Sequence, residues 1–222
     1  MEDRVKGDFA AQRAAMVAGQ LKPWKVTDER VLEAMGAVPR EVFVPKPLKG
    51  LAYVDEDLEI APGRFLMEPR VLARLIQEAE VAPEDVVLEI GTATGYASAV
   101  LARLCNTVVA LECDAELAET ARQALEEAGI DNVAVVTGPL EAGWPKEAPF
   151  DVIFVNGAVE TIPQAWIDQL AEGGRLVCVK RDGDESHGHL VVKSGNASGG
   201  RPAFDAFTPL LPGFAKPPVF QF

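Results

Sequence analysis

The run Val86-Val87-Leu88-Glu89-Ile90-Gly91-Thr92-Ala93-Thr94-Gly95-Tyr96 constrains this chain more than any other segment. A short apolar stretch ends at a glycine, as a buried parallel strand does. Helix-forming residues from Tyr96 to Leu104 follow almost at once. Further strands are predicted at Thr107 to Leu111, Val133 to Val136, Val152 to Val155 and Arg175 to Val179. Helices are predicted from about Ala115 to Ala128, with Gly129 as C-terminal cap, and around Pro163 to Leu170. This alternation predicts an α/β fold, a doubly wound and mostly parallel sheet with helices on both faces. After Arg181 the pattern changes. His189 to Lys193 and Ala203 to Phe207 read as two strands joined by a Ser194–Gly200 loop, an antiparallel pair at one sheet edge.

The region before the first strand reads differently. Phe9, Met16, Val17 and Leu21 recur at helical spacing until Pro23. Asp28 is placed to cap a second helix carrying Val31, Leu32 and Met35, with Pro39 beyond it. Residues 45–69 hold four prolines and two glycines and are expected to form a loop-rich connector. A helix with Val71, Leu72, Leu75, Ile76 and Ala79 on its buried side follows.

Composition excludes several function classes. The 222-residue chain carries 34 Asp+Glu against 21 Lys+Arg, a net charge of −13. Such a surface repels nucleic-acid backbones and anionic membranes. No apolar run spans a bilayer, and the N-terminus has no apolar signal core. Cys105, Cys113 and Cys178 are read as reduced cytoplasmic thiols. No Cys or His spacing matches a metal site; His187 and His189 read as solvated edge-strand neighbours. Trp24, Trp144 and Trp166 are too scattered to stack bases and are assigned to packing. The apolar tail Pro217–Phe222 is short, and a partner contact is one reading of it.

The strand–turn–helix at Gly91 points to a ligand crevice beyond the carboxyl ends of the strands. Glu112 closes the second strand, 21 residues after Gly91, where a carboxylate accepts both hydroxyls of a ribose. Dinucleotide enzymes need three glycines here, but the pattern reads Gly91, Ala93 and Tyr96. Glu89 puts a carboxylate before the turn, poor for a diphosphate and suited to a cationic amino acid or sulfonium. S-adenosylmethionine is therefore favoured over NAD. Cys113 beside Glu112 is read as an inert thiol.

A longer set of segments resembles the protein-L-isoaspartate O-methyltransferases. It runs from Met16-Val17 and Gln20-Leu21 through Asp28-x-Arg30-Val31-Leu32-x-Ala34-Met35. Val38-Pro39-Arg40-x-x-Phe43-Val44-Pro45 and Ala52-Tyr53-x-Asp55 come next. Gly95-Tyr96-x-x-Ala99-Val100-Leu101-Ala102, Pro149-Phe150-Asp151-x-Ile153, Ile162-Pro163 and Gln169-Leu170-x-x-Gly173-Gly174 complete it. The resemblance covers roughly residues 12–180. It implies a seven-stranded methyltransferase (Rossmann-like) sheet, residues 69–222, with an N-terminal helical addition, residues 1–68, over the cofactor. It implies S-adenosylmethionine as cofactor, S-adenosylhomocysteine as product, and proteins or peptides with isoaspartyl residues as substrates. The cofactor-side residues are then Glu89, Gly91, Thr92, Ala93, Gly95, Glu112, Gly138 and Leu140. Tyr53, Phe65, Met67 and Asn156 fall on the substrate side.

Departures from the family pattern sharpen the question. The family's Thr-Ile-Ser-x-Pro-like segment reads Phe65-Leu66-Met67-Glu68-Pro69 here. A thioether donates no hydrogen bond, so this wall becomes apolar, with Glu68 as an added acid; packing into the core is the competing reading. Ala93 replaces a glycine, a mild change if φ stays negative. Pro139 replaces an Asp near the adenine. Asn156 either orients a polar group or caps a turn, and the turn is favoured. Methyl transfer to a carboxylate needs no general base, so no catalytic residue is assigned. A methyltransferase with a less charged acceptor, a non-catalytic cofactor-binding interaction protein and an NAD enzyme are the alternatives.

Overall fold

Four consecutive residues, Val87 to Ile90, are buried, so this run lacks the alternation of a half-exposed strand. It forms the middle of the main sheet in the computed structural model, which describes residues 8–195 and 197–216. The seven strands are β3 (Val86–Ile90), β4 (Thr107–Glu112), β5 (Val133–Thr137), β6 (Phe150–Val159), β7 (Leu170–Asp182), β8 (Glu185–Ser194) and β9 (Ala197–Asp205). Their order is β5-β4-β3-β6-β7-β8-β9, the first five parallel and the last two antiparallel. A separate antiparallel ribbon pairs β1 (Leu58–Ala61) with β2 (Arg64–Leu66). Strand order reverses between β3 and β6, which opens a ligand crevice at their carboxyl ends.

Side chains alternate between two apolar layers along the central strands. Val87, Val108, Val152, Phe154 and Val177 face one way. There they join α2 (Glu29–Ala37), α3 (Pro69–Ala79), α4 (Tyr96–Leu101) and the end of α5 (Ala115–Glu127). Leu88, Ile90, Leu111, Ile153 and Leu176 face the other way. They are covered by α6 (Gln164–Asp168), with the fully buried Trp166, and by Leu211 and Phe214 near the C-terminus.

The expected caps are present. Asp28 accepts from the Arg30 amide at 2.9 Å. Gly129 takes φ +69°, and Ile130 N–H donates back to the Leu125 carbonyl at 2.9 Å. Four expectations are corrected. The connector 45–69 contains a 3₁₀ helix at Lys46–Leu51 and the β1–β2 ribbon. The helix around Pro163–Leu170 is only α6, because Leu170 already pairs with Phe150 in the sheet. Ser198, Gly199 and Gly200 lie inside β9, and Ser194 already pairs with Ala197. The bare Cα of Gly200 makes room for His189, whose Nε2 would lie 2.6 Å from an added Cβ. Asn156 does not cap a turn, because β6 runs on to Val159 through a bulge. That extension is satisfied by the segment after β9. Ala158 donates to Pro209 at 3.0 Å, and Leu211 donates to Ala158 at 2.9 Å. The tail from Pro217 to Phe222 lies outside the described residues.

The N-terminal residues clamp the Gly91–Tyr96 turn. Helix α1 (Phe9–Met16) continues as a π turn, Val17–Leu21, and a 3₁₀ turn, Lys22–Trp24. Thr94 Oγ1 donates to the Phe43 carbonyl at 2.6 Å. The Tyr96 ring lies beneath the Arg40 guanidinium, 4.6 Å from its centroid, and meets Phe43 edge-on. Thr94→Val strands a buried carbonyl, and leaving such a group unpaired costs about 1–3 kcal/mol. Urea unfolding of that variant is expected to show a loss of this size; no loss would mean that the clamp contributes nothing.

Candidate active site

Strand β4 delivers Glu112 into the crevice with no solvent exposure. Its Oε1 accepts from the Cys113 and Asp114 amides at 2.8 and 3.1 Å, and its Oε2 accepts from the Ala93 amide at 2.8 Å. Arg64 of β2 adds a bidentate pair, Nη1 to Oε1 at 2.5 Å and Nη2 to Oε2 at 2.7 Å. Burial alone would raise the Glu112 pKa, but Arg64 and the backbone donors hold it below the ordinary carboxylate value.

Strand β3 delivers Glu89, also fully buried. Oε1 accepts from Asn156 Nδ2 at 3.0 Å, and Oε2 accepts from Thr92 Oγ1 at 3.2 Å and from the Ser98 hydroxyl. Burial pushes its pKa up to about 7, partly offset by these three donors. With both oxygens engaged, Glu89 fixes the side chain of Asn156. That amide's Oδ1 is left buried without a partner.

The turn between β3 and α4 takes φ +83° at Gly91, +53° at Ala93 and +93° at Gly95. Ala93 thus does not keep the negative φ expected of it. It tolerates the left-handed conformation because its amide is held by Glu112. Gly91 carries no side chain where crowding is severe: an added Cβ would lie 2.8 Å from Leu211 Cδ2. Gly157 is equally close to Leu211, at 2.6 Å from Cγ. Leu211 therefore fills the space between the two strand ends.

Phe65, Met67 and Asn156 line one small cavity with Arg64, Gly157 and Leu211. Its volume is about 10 Å³, room for about one water at most. Glu68 lines a different, larger cavity and bonds Arg70 at 2.9 Å, so its charge does not face Met67. Tyr53 is outside the small cavity's lining. Its hydroxyl donates to Glu41 at 2.5 Å and accepts from Arg13 at 3.3 Å, and burial, then Glu41, raises its pKa. Gly138 lies against Trp144, where an added Cβ would be 3.3 Å from the indole. The Leu140 carbonyl accepts from Trp166 Nε1 at 2.9 Å. Arg64, Leu211 and Trp144 were not among the expected site residues. Arg64 and Leu211 make contacts to residues far away in sequence, which no local pattern reports, whereas Trp144 packs on Gly138, six residues before it. His187 contacts Asp205 and Glu185, and among the described residues no cluster of three or more His, Cys, Asp or Glu is arranged for a metal.

A mostly parallel sheet with a strand-end carboxylate at Glu112 and a glycine turn is the architecture of a nucleotide-cofactor site, and it is consistent with an S-adenosylmethionine-dependent methyltransferase. The donor set fits that cofactor: Glu112 suits ribose hydroxyls, and Gly91 keeps the turn free of a side chain, while Gly95 lets α5 approach through Ala121 and Leu125. In this structure Arg64 occupies both Glu112 oxygens and Leu211 lies over Gly91. The family model for protein-L-isoaspartate (D-aspartate) O-methyltransferase matches residues 11–200, and the chain belongs to this family. A protein-L-isoaspartate O-methyltransferase of Koribacter versatilis is 46% identical over 169 residues, 76% of either chain. One of Synechococcus sp. is 47% identical over 76% of this chain and 69% of its own. A solved protein-L-isoaspartate O-methyltransferase superposes with TM-score 0.79 at 29% identity, covering 90% of this chain and 66% of that one. A second, from Plasmodium falciparum in complex with S-adenosyl-L-homocysteine, shares the fold with TM-score 0.75 at 20% identity, over 90% of this chain and 97% of that one. The family match favours methyl transfer over the dinucleotide and non-catalytic readings. No helix among the described residues is long and apolar enough to cross a membrane.

The raised pKa of Glu89 makes stability depend on pH. Against an ordinary value of 4.5, its contribution is fully present below that pH and is lost as pH rises to about 7. The lowered Glu112 acts in the opposite sense, losing its contribution only on further acidification. Glu89→Gln is expected to flatten the decline between about pH 5 and 7 in urea titrations. An unchanged slope would mean that Glu89 is already ionised in the folded state.

Proposed function

We propose that this chain methylates the carboxylate of isoaspartyl residues in proteins or peptides. The family match over residues 11–200 carries the reading. When bound, S-adenosylmethionine supplies a methyl whose bond to sulfur breaks, with the electron pair left on sulfur, as the carboxylate oxygen bonds to carbon. An ionised carboxylate needs no proton removed, so positioning and exclusion of water suffice.

The chain's residues divide this work between two sides. Glu112 holds the ribose, and Gly91, Thr92, Ala93 and Gly95 shape the turn beneath the amino-acid part. Glu89, expected on the cofactor side, has both oxygens engaged by Thr92, Ser98 and Asn156 and so fixes Asn156 on the acceptor side. Gly138, with Trp144 and the Leu140 turn, borders the adenine end. Phe65 and Met67 wall the acceptor side and keep it dry. Among the described residues, the sheet from residue 69 onward carries Glu89, Glu112 and the glycine turn, and the residues up to 68 cover it and contribute Arg64, Phe65 and Met67 to its walls, with Tyr53, Arg13 and Glu41 bonded to one another within the cover. The acidic balance argues against nucleic-acid partners, and the three free thiols suit the cytoplasm.

Labelled methyl is expected to pass to an isoaspartyl peptide and not to its aspartyl counterpart. Phe65→Thr with Met67→Ser restores two hydroxyl donors beside the acceptor. A hydrogen bond to a charged group contributes about 1.5–3 kcal/mol, so KM for the peptide is expected to fall by about ten-fold or more. Equal labelling of both peptides, or none with S-adenosylhomocysteine still bound, would overturn the reading.

A further inference from the structure

Arg64 and a ribose have the same target. A carboxylate offers about four lone-pair sites. Glu112 already receives five N–H donors, three from the backbone and two from Arg64. The backbone donors belong to the β4 end and the glycine turn and stay with the fold. Only the guanidinium, on the β1–β2 ribbon, can leave. It also stands within the crevice, with Nη2 3.7 Å from a Cβ placed on Gly91. The pair is almost wholly buried, with Arg64 6% exposed and Glu112 0% exposed. Among the described residues, Glu112 is the only carboxylate paired with Arg64.

The same guanidinium borders the cavity of Phe65, Met67 and Asn156, where it is the only cation in the lining. The other side chains offer an acceptor carboxylate little: Met67 and Phe65 donate no side-chain hydrogen bond, the Thr208 hydroxyl is already given to Asp57 at 2.9 Å, and the free atom of Asn156 is an acceptor oxygen. We propose that Arg64 is exchanged between the two halves of the site. Glu112 holds it while the ribose position is open, and cofactor binding releases it to bind the acceptor carboxylate. Cofactor and guanidinium then exclude each other at Glu112, the cofactor enters first, and its arrival creates the acceptor's cationic contact. The acceptor half rests on the isoaspartyl reading; the competition at Glu112 does not.

Two ligands read Arg64 in opposite directions. Arg64→Met keeps the stem's bulk without the charge, and Arg64→Ala removes both, while Glu112 retains its three backbone donors. By calorimetry, S-adenosylhomocysteine is expected to bind either variant at least about ten-fold tighter than wild type, because no competitor occupies the competent state. At saturating S-adenosylmethionine, KM for the isoaspartyl peptide is expected to rise by about ten-fold or more, as for loss of a charged hydrogen-bond donor. A residue that only supports the fold would weaken both ligands. Unchanged or weaker S-adenosylhomocysteine binding overturns the exchange. Tighter binding with an unchanged peptide KM overturns the transfer to the acceptor. If wild type methylates no isoaspartyl peptide, the acceptor half falls with that reading, and calorimetry still decides the competition.

Discussion

The crevice depends on a buried carboxylate at the end of β4. Glu112 has no access to water, so its charge survives only with donors arranged around it. Two of these are amides at the strand end, one is the amide of a left-handed Ala93, and two come from Arg64. The glycine turn, the strand end and the β1–β2 ribbon are thereby fixed to one another. Removing one partner of such a buried pair commonly costs about 3–5 kcal/mol because it leaves the other charge uncompensated, and Leu58 and Leu66 anchor the ribbon to the core beside it.

A second carboxylate, Glu89, works inward. It sits one strand away with both oxygens accepting, and it organises Thr92, Ser98 and Asn156. The two acids have opposite environments, which is why one is held below and the other above its ordinary pKa. The segment after β9 completes the arrangement by pairing with the bulged end of β6 and placing Leu211 over Gly91 and Gly157. The site is thus assembled from three places: the sheet centre, an early ribbon and a late strap.

The sheet and the positions of Glu89, Glu112 and the glycine turn within it are legible in the sequence because their signals are local. Val86–Ile90 is apolar, ends at Gly91 and is followed by helix formers, and Glu112 stands one strand later. The β1–β2 ribbon was missed because Leu58–Leu66 is short and interrupted by Pro62-Gly63, which reads as loop. The sequence around Asn156 reads as a turn because nothing nearby announces that residues 209–211 satisfy the backbone beyond it. Arg64 was missed for a related reason: its partner is 48 residues away, and a lone arginine in a connector carries no periodic signal. The loss of hydroxyls at Phe65 and Met67 was visible, but its compensating cation required three dimensions.

The most direct measurement is an experimental structure of this chain with S-adenosylhomocysteine bound. The account requires both Glu112 oxygens on the ribose hydroxyls, Ala93, Cys113 and Asp114 amides still at the carboxylate, and Arg64 turned toward Met67 and Asn156. A bound cofactor with the Arg64–Glu112 pair intact would contradict it.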